Sequence, residues 1–342
     1  MDFVKKRVYD EPRRGKWTRD MYQRGARMLT GEFSDSYILP AIYRPFVKQC
    51  FYYDEFLINT LYKIPAIFPT REHENLVIQV TGTGATKEFS ALVSNQLPDL
   101  EVISKGQCLP LYWYEKRKTD ADNRDDLFSD STNDDSSEEY VRHDGITDSA
   151  LQEIQAHYQD HEITKEDIFY YVYGVLHSPE YRQKYGADLR KELPRVPYVE
   201  AFWELSKAGR DLAYWHLNYE DIEPFPLTEH SERMALDESE HYKVRKMKWG
   251  GSARKPDRSK IEVNDHLTLS GIPEEAHEYV VNGKSALGWI LDRYQITKDK
   301  DSGIVNDPNE WSDDPRYIVD LIGKVTRVSM ETVRIVRSLP SL

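Results

Sequence analysis

Asn282-Gly-Lys-Ser-Ala-Leu-Gly-Trp-Ile-Leu291 runs on through Ser302-Gly-Ile-Val-Asn-Asp-Pro-Asn309 to a basic amphipathic stretch ending at Leu342, and this last third sets the architecture. The pattern predicts a helix over residues 285–294, and Asp314-Pro315 marks the start of a second one. In that final helix Lys324, Arg327, Glu331 and Arg334 share one face, while Leu321, Val325, Val328, Val333 and Val336 occupy another. Upstream, the apolar period changes from helical to strand-like. Tyr242-Lys-Val-Arg alternates apolar and basic residues, and the phase slips at Lys246-Met247 ahead of Trp249 and Gly250-Gly251. A bulge or turn accounts for the slip. Ile261-Glu-Val and His266-Leu-Thr-Leu continue the same sheet.

Helices precede that sheet. Thr164 stands three residues ahead of Asp167, an N-cap with an acid at N3, and Ile168, Phe169, Val172, Val175 and Leu176 follow at helical spacing. Ser178-Pro-Glu places a proline at the first helical position and predicts a helix over residues 180–193. A third helix is predicted over 198–217, with Phe202, Leu205, Leu212 and Leu217 facing the core. Before the helices come Phe46-Val-Lys-Gln-Cys-Phe-Tyr-Tyr, Leu76-Val-Ile-Gln-Val-Thr, Val102-Ile103 and Leu109-Pro-Leu-Tyr-Trp-Tyr, all strand-like. The expectation is an α+β fold: a mixed sheet core, a helical layer and a C-terminal amphipathic helix. Residues 1–35 read as a basic lead-in broken by Pro12, Gly15, Gly25 and Gly31, and residues 36–118 as the sheet-containing part. Residues 119–148, rich in Asp, Ser and Asn, are expected to be a disordered acidic insertion, because they cannot bury enough surface to offset ordering entropy. Residues 149–342 return to the same domain.

Charge is segregated along the chain. The net charge is -13, yet residues 119–148 alone carry 11 acidic and 2 basic side chains. Residues 243–260 carry 8 basic side chains and one acidic, and residues 1–27 carry 9 basic and 4 acidic. A local basic surface can release counterions from a polyanion whatever the distant total, so the acidic balance does not exclude nucleic acid. No apolar run approaches the roughly 18–20 residues of a membrane span, and the start lacks the apolar core of a secretory signal, so a cytoplasmic chain is expected. Two cysteines, Cys50 and Cys108, are too few for a disulfide framework or a Cys-based zinc site.

Several motifs bear on chemistry. Gly82-Thr-Gly84-Ala-Thr-Lys87 follows a strand, but it lacks the third glycine of a dinucleotide fingerprint and the Gly-Lys-Ser/Thr end of a P-loop, so a tight structural turn is the better reading. Asp99, Glu115 and Arg117 have a loose nuclease spacing with Arg where Lys belongs. His157 and His161, with Glu153 one turn earlier, have zinc spacing but no companion pair and read as a solvated helix face. The Asn/Asp-Pro-Pro-aromatic turn of adenine methyltransferases is missing, since the chain holds no Pro-Pro pair, and neither a P-loop nor an Asp-Glu-x-His box is present. No metal or cofactor is expected.

Tyr43-Arg-Pro-Phe with Tyr52-Tyr-Asp, Thr81-Gly-Thr-Gly with Phe89-Ser-Ala-Leu, Pro98-Asp-Leu, Gln107-Cys, the run from Asp167 to Arg182 and the two C-terminal tracts quoted first form a set of long matches. Together they resemble the C-terminal specificity region of Type ISP restriction-modification enzymes, from Tyr43 to Leu342. The resemblance implies recognition of a short double-stranded DNA target. It also implies a methyltransferase and helicase–nuclease part as partner, because the family's methylating, translocating and cutting parts lie upstream of this region. No catalytic activity of the chain's own is then expected. Two other readings stay open: a catalytic fragment with residual methyl transfer or cleavage, and an interaction scaffold that no longer binds DNA. A recognition module needs basic side chains on phosphates and a few Arg, Lys, Asn or Gln side chains at base edges. Lys243, Arg245, Lys246, Lys248, Arg254 and Lys255, interleaved with Trp249, are the leading candidates, joined by Arg44 and Lys87 from the family motifs. The other reading of the 243–260 stretch is a solvated edge hairpin whose lysines block edge pairing.

Overall fold

Two aromatic-rich strands, β1 (Ile38–Arg44) and β2 (Val47–Tyr52), pair antiparallel in the computed structural model, which describes residues 33–54, 57–58, 62–117, 139–232, 237–300 and 303–342. The basic lead-in lies almost wholly outside the described residues. Between the two strands Phe46 takes φ 61°, a costly region for a bulky side chain. Its ring is buried edge-on against Tyr219 and Tyr279, so packing holds the turn in its strained shape. A short helix, α1 (Ile64–Ile67), leads to β3 (Val77–Val80), β4 (Ala91–Ser94), β5 (Leu97–Pro98) and β6 (Gln107–Pro110). They form two small sheets in the orders β2-β1-β5, with β5 parallel to β1, and β4-β3-β6. The strand expected at Val102-Ile103 is not one. Both side chains are buried, but the chain turns there, with Val102 N–H donating to Asp99 O and Gly106 N–H to Leu100 O.

Strands β7 (Tyr112–Lys116) and β8 (Tyr140–Asp144) pair across the acidic stretch, and Arg117 N–H donates to Glu139 O at 2.9 Å. The expected disordered insertion therefore needs correcting at its far end. Residues 139–148 are ordered because Tyr140 to Asp144 satisfy their backbone groups on β7 and Thr147 caps the next helix. Residues 119–138 of the expected insertion fall outside the described residues.

The helical layer consists of α2 (Asp148–Tyr158), α3 (Lys165–His177), α4 (Pro179–Tyr185) and α5 (Phe202–Leu217). Thr164 and Asp167 form the expected capping box, and Arg210 reaches across from α5 to Asp167 at 2.7 Å. Thr164→Ala is expected to cost about 1 kcal/mol in urea unfolding, the usual worth of a cap. An unchanged midpoint would show that the Arg210 pair alone fixes this helix start. The helix expected over 180–193 stops at Tyr185, where Gly186 follows and the chain continues as turns. The next begins at Phe202 and not at 198, because Val199 N–H is held by the hydroxyls of Tyr158 and Tyr171. Helices α3 and α5 cross backbone to backbone at two glycines. A Cβ on Gly174 would stand 2.3 Å from Leu205 O, and one on Gly209 only 1.9 Å from Tyr170 O.

The second strand region holds β9 (Thr228–Ser231), helix α6 (Glu238–Tyr242), β10 (Lys248–Ser252), β11 (Lys255–Glu262) and β12 (Leu267–Ser270) in the order β10-β11-β12-β9. The strand expected at Tyr242-Lys-Val-Arg is absent. Its backbone groups go elsewhere: Val244 exchanges bonds with the Asn309 side chain, Lys243 O accepts from the Asn264 amide, and Arg245 O accepts from Ile296 N–H. Val244 and Met247 point into the core while Arg245 and Lys246 face out, which explains the slip in phase. The register also shifts between Trp249 and Gly250, a bulge of the expected kind.

A two-residue hairpin of β13 (Val280–Val281) and β14 (Lys284–Ser285), helix α7 (Ala286–Arg293), the pair β15 (Thr297–Lys298) and β16 (Val305–Asn306), and helix α8 (Tyr317–Arg337) complete the chain. Leu321, Val325, Val328 and Val333 of α8 are buried as expected, while Val336 is half-buried. Lys324 and Arg327 on its charged face donate to the carbonyls of Glu220 and Pro224, so they are spent inside the fold. One large apolar cluster joins β1 and the Phe46 turn to the β10-β11-β12-β9 sheet, α7 and α8. A second packs α3 and α5 against β3 and β4, and Ile335 of α8 reaches into it.

Candidate nucleic-acid interface

The β10-β11-β12-β9 sheet and the segment before β10 enclose an open cleft of about 980 Å³. Lys243, Arg245, Lys246 and Lys248 all line it, so four of the expected residues come together. Two of the four are met by carboxylates. Lys243 pairs with Glu240 at 2.7 Å, and Lys248 pairs with its cross-strand neighbour Glu262 at 2.7 Å. Lys260 and Asp257, also in the lining, form a looser pair at 3.7 Å, and Glu232 and Asp265 add two more carboxylates. Glu240 and Glu262 raise the pKa of the lysines they face. Arg245 and Lys246 have no carboxylate partner among the described residues. The cleft therefore offers paired donors and acceptors beside two free cations, and not a uniformly positive wall.

Arg254 and Lys255 sit outside the cleft lining, at the exposed tip of the β10–β11 hairpin. Trp249 is half-buried on the first apolar cluster with His277 at 5.1 Å and roughly perpendicular to its ring, so its indole anchors the hairpin root while also lining the neighbouring groove.

Arg44 and Lys87 meet elsewhere, around a depression of about 300 Å³ that Lys284, Trp289 and Arg293 also line. The Asn282-Gly283 turn builds it. Asn282 at φ 51° and Gly283 at φ 78° make the two-residue turn between β13 and β14 that left-handed residues favour. The Asn282 amide accepts from Ser104 N–H at 3.1 Å and donates to Val102 O at 3.2 Å, while its own N–H donates to the Ser90 hydroxyl at 2.9 Å. This buried clamp presses the C-terminal hairpin against the loop after β5 and the start of β4. The Lys87 stem then lies over Gly283, where a Cβ would come within 3.1 Å of Lys87 Cδ. Arg44 pairs with Asp99 at 2.8 Å and lies over the Tyr43 ring. Lys284 pairs with Asp292, yet burial first, then Arg293 and Lys87, hold its ammonium pKa below the ordinary lysine value.

A groove of about 700 Å³ connects the two places, sharing Lys246 and Lys248 with the cleft and Gly283 and Lys284 with the depression. Arg258 lines it between them. Lys284 and Arg293 were missed as candidates. Lys284 was in plain view within the opening tract, but nothing local to either residue shows that the Asn282 clamp brings both beside Lys87.

The remaining motifs resolve as structure. Gly82 N–H donates to Ser104 O and Gly84 N–H to Arg190 O, so the two glycine donors of the Gly82–Lys87 turn are already used inside the fold. A Cβ on Gly82 would meet Lys105 O at 2.0 Å, which is why glycine stands there. Gly283-Lys284-Ser285 has the last three letters of a P-loop, but residue 278 is Glu and the Ser285 hydroxyl accepts from Gly288 N–H as the cap of α7. Asp99 is held by Arg44, and His157 stacks on Tyr198 at 4.2 Å. Among the described residues no group of three or more His, Cys, Asp or Glu could hold a metal ion, and no helix is long and apolar enough to cross a membrane.

Residues 3–321 match the family model of the Type ISP C-terminal specificity domain. Among solved structures the chain is similar to the ATP-dependent Type ISP restriction-modification enzyme LlaBIII bound to DNA, with 33% identity and a TM-score of 0.81 over 96% of this chain and 20% of that one. It is also similar to a nuclease-deletion mutant of the Type ISP enzyme LlaGI in complex with a DNA substrate mimic, with 36% identity and a TM-score of 0.77 over 95% of this chain and 27% of that one. A third similar structure is the cryo-EM DrdV–DNA complex, with 32% identity and a TM-score of 0.82 over 99% of this chain and 32% of that one. The chain spans less than a third of the length of each of these proteins. No curated protein matches it. With the family model covering nearly its whole length and the fold shared at this identity, the chain belongs to the Type ISP C-terminal specificity domain family.

Proposed function

We propose that the protein recognises a short duplex DNA sequence, with base edges facing the mixed-charge cleft on the β10-β11-β12-β9 sheet. The observation that carries this reading is the make-up of the cleft: lysines and carboxylates side by side, with Arg245 and Lys246 unmatched. A wall of cations alone holds phosphates of any sequence. Base edges in the major groove present acceptors on guanine and an amino donor on cytosine, so reading them takes both cations and carboxylates. Opening an exposed lysine–carboxylate pair costs little, since such pairs are worth about 0–1 kcal/mol. Arg254 and Lys255 at the hairpin tip then follow the backbone, and Trp249 keeps the hairpin root in place. The related structures contain DNA, which supports duplex DNA as the ligand here.

In this reading the methyltransferase and helicase–nuclease functions of a restriction-modification system are supplied by the part of the enzyme that this chain does not span, and the chain itself contributes recognition and no chemistry. DNA as ligand favours a cytoplasmic location for it. The test is selection from a randomised duplex pool with the purified chain, repeated with Lys243, Arg245 and Lys248 changed together to glutamine. The wild type is expected to enrich one asymmetric motif. The triple variant is expected to lose about ten-fold or more in affinity, with a shallower salt dependence. A pool retained without any enriched motif, or not retained at all, would sink the proposal.

A further inference from the structure

We infer that the depression formed by Lys87, Lys284 and Arg293 is a second anion site, which takes one phosphodiester of the DNA backbone outside the base-reading cleft. The inference rests on the DNA reading above and adds a register-setting anchor to it. Three observations carry it. First, the cations come from distant parts of the chain, the loop after β3, strand β14 and the end of α7, and the buried Asn282 amide holds those parts together. A fortuitous charge run on one surface element would not need such a clamp.

Second, the cluster is under-compensated. Lys284 faces Asp292, and Glu101 also lines the depression, but Lys87 and Arg293 have no carboxylate partner among the described residues. The Nε of Arg293 is buried without an acceptor, and its guanidinium lies 5.8 Å and 5.7 Å from the ring centroids of Tyr43 and Trp289, which limits how the fork can turn. Burial first, and then the neighbouring Arg293 and Lys87, disfavour the Lys284 ammonium, and a bound anion would offset the repulsion among the three cations.

Third, the site's shape favours a passing strand over a small molecule. Its volume is only about 300 Å³, the lower end for ligand pockets. Its rim instead opens into the groove past Arg258 and Lys246, which leads to the cleft. A strand whose bases enter the cleft has a continuous basic path toward this point.

The experiment measures salt-dependent binding of the full chain to its selected duplex and to a scrambled duplex, in wild type, the double variant Lys87→Gln/Lys284→Gln, and Arg293→Lys. Thermal midpoints check that each variant folds. Losing the one neutralised phosphate should lower the log–log salt slope by about 0.9, so between 50 and 200 mM salt the double variant loses roughly three-fold less affinity than wild type does. The loss should be equal on both duplexes and the selected motif unchanged. Arg293→Lys keeps the charge, so its slope should stay near wild type while its affinity falls. If the folded double variant keeps the wild-type slope while wild type binds its motif, the site is overturned and the DNA reading stands. A wild type that binds no duplex overturns both. In that event, a thermal midpoint raised by inorganic phosphate but not by chloride at equal ionic strength, and insensitive to phosphate in the double variant, would mark a free-phosphate site instead.

Discussion

Gly209→Ala is expected to destabilise the protein by about 3–4 kcal/mol, or to prevent it from folding, even though alanine is the better helix former by roughly 1 kcal/mol. The two effects have opposite signs, which makes the measurement decisive. On α5 the added Cβ would fall 1.9 Å from Tyr170 O and 3.0 Å from Gly174 N, both backbone atoms of α3. No side chain can move aside to make room. The helices must separate, and separation opens the apolar cluster that Tyr173, Leu176, Leu205 and Leu212 fill at 0% exposure. Overpacking a core costs about 1–3 kcal/mol where side chains adjust, and more where they cannot. Urea unfolding of Gly209→Ala beside Lys207→Ala, an exposed neighbour on the same helix, checks it. A gain in stability at 209 would mean that the crossing is looser than described.

Acid should weaken the fold well before its carboxylates titrate. His216 and His177 are both buried, and their bonding fixes them as neutral rings. Tyr173 hydroxyl accepts from Val93 N–H, so its proton goes to His216 Nδ1 at 2.6 Å, and His216 Nε2–H donates to Thr332 Oγ1 at 2.9 Å. His177 Nδ1–H donates to Tyr173 O, leaving Nε2 buried with no partner. Burial pushes the His216 pKa down to about 3. Burial first, then Arg182 and His216, pushes His177 well below the usual value.

In the unfolded chain both titrate near the usual 6.5. Below that pH the unfolded state binds more protons than the folded one, so stability is full above about 6.5 and falls with pH down toward 3. For His216 alone the loss amounts to about 2 kcal/mol by pH 5, and His177 adds to it in the same direction. Urea midpoints between pH 7.5 and 5.0 should drop in wild type and drop less steeply in His216→Gln, whose amide can keep a donor and an acceptor without titrating while His177 still does. Parallel pH curves for the two proteins would contradict this account.

What was legible in the chain was local. The Thr164–Asp167 box, the proline after Ser178, the stripe of α8 and the β-rich run at β3 each depend on residues within a few positions of one another, and each formed as read. The segment from Tyr242 to Met247 was misread because it begins at the end of a short helix and its period beyond Tyr242 belongs to no regular element. Its backbone is satisfied by the side chains of Asn264 and Asn309, which are 21 and 65 residues away. The charge count over residues 243–260 erred for a similar reason. It could not include Glu232 and Asp265, which the fold brings to the same cleft, and its bounds stop just short of Glu240 and Glu262, the partners of Lys243 and Lys248. Arg44 and Lys87 were chosen as isolated cations in aromatic and glycine-rich motifs, and only the Asn282 clamp shows that they share a place with Lys284 and Arg293.

The rung between Arg117 and Glu139 also has a practical meaning. Because Arg117 and Glu139 stand opposite each other one hydrogen-bonded step beyond β7 and β8, the ladder itself holds the two ends of the intervening sequence together. Doubling the length of a flexible connection between ends held in this way costs only about 0.6 kcal/mol of closure entropy. That position is a natural splice port, where a reporter or a foreign module can be grafted while the cleft and its anion-holding neighbour keep their geometry.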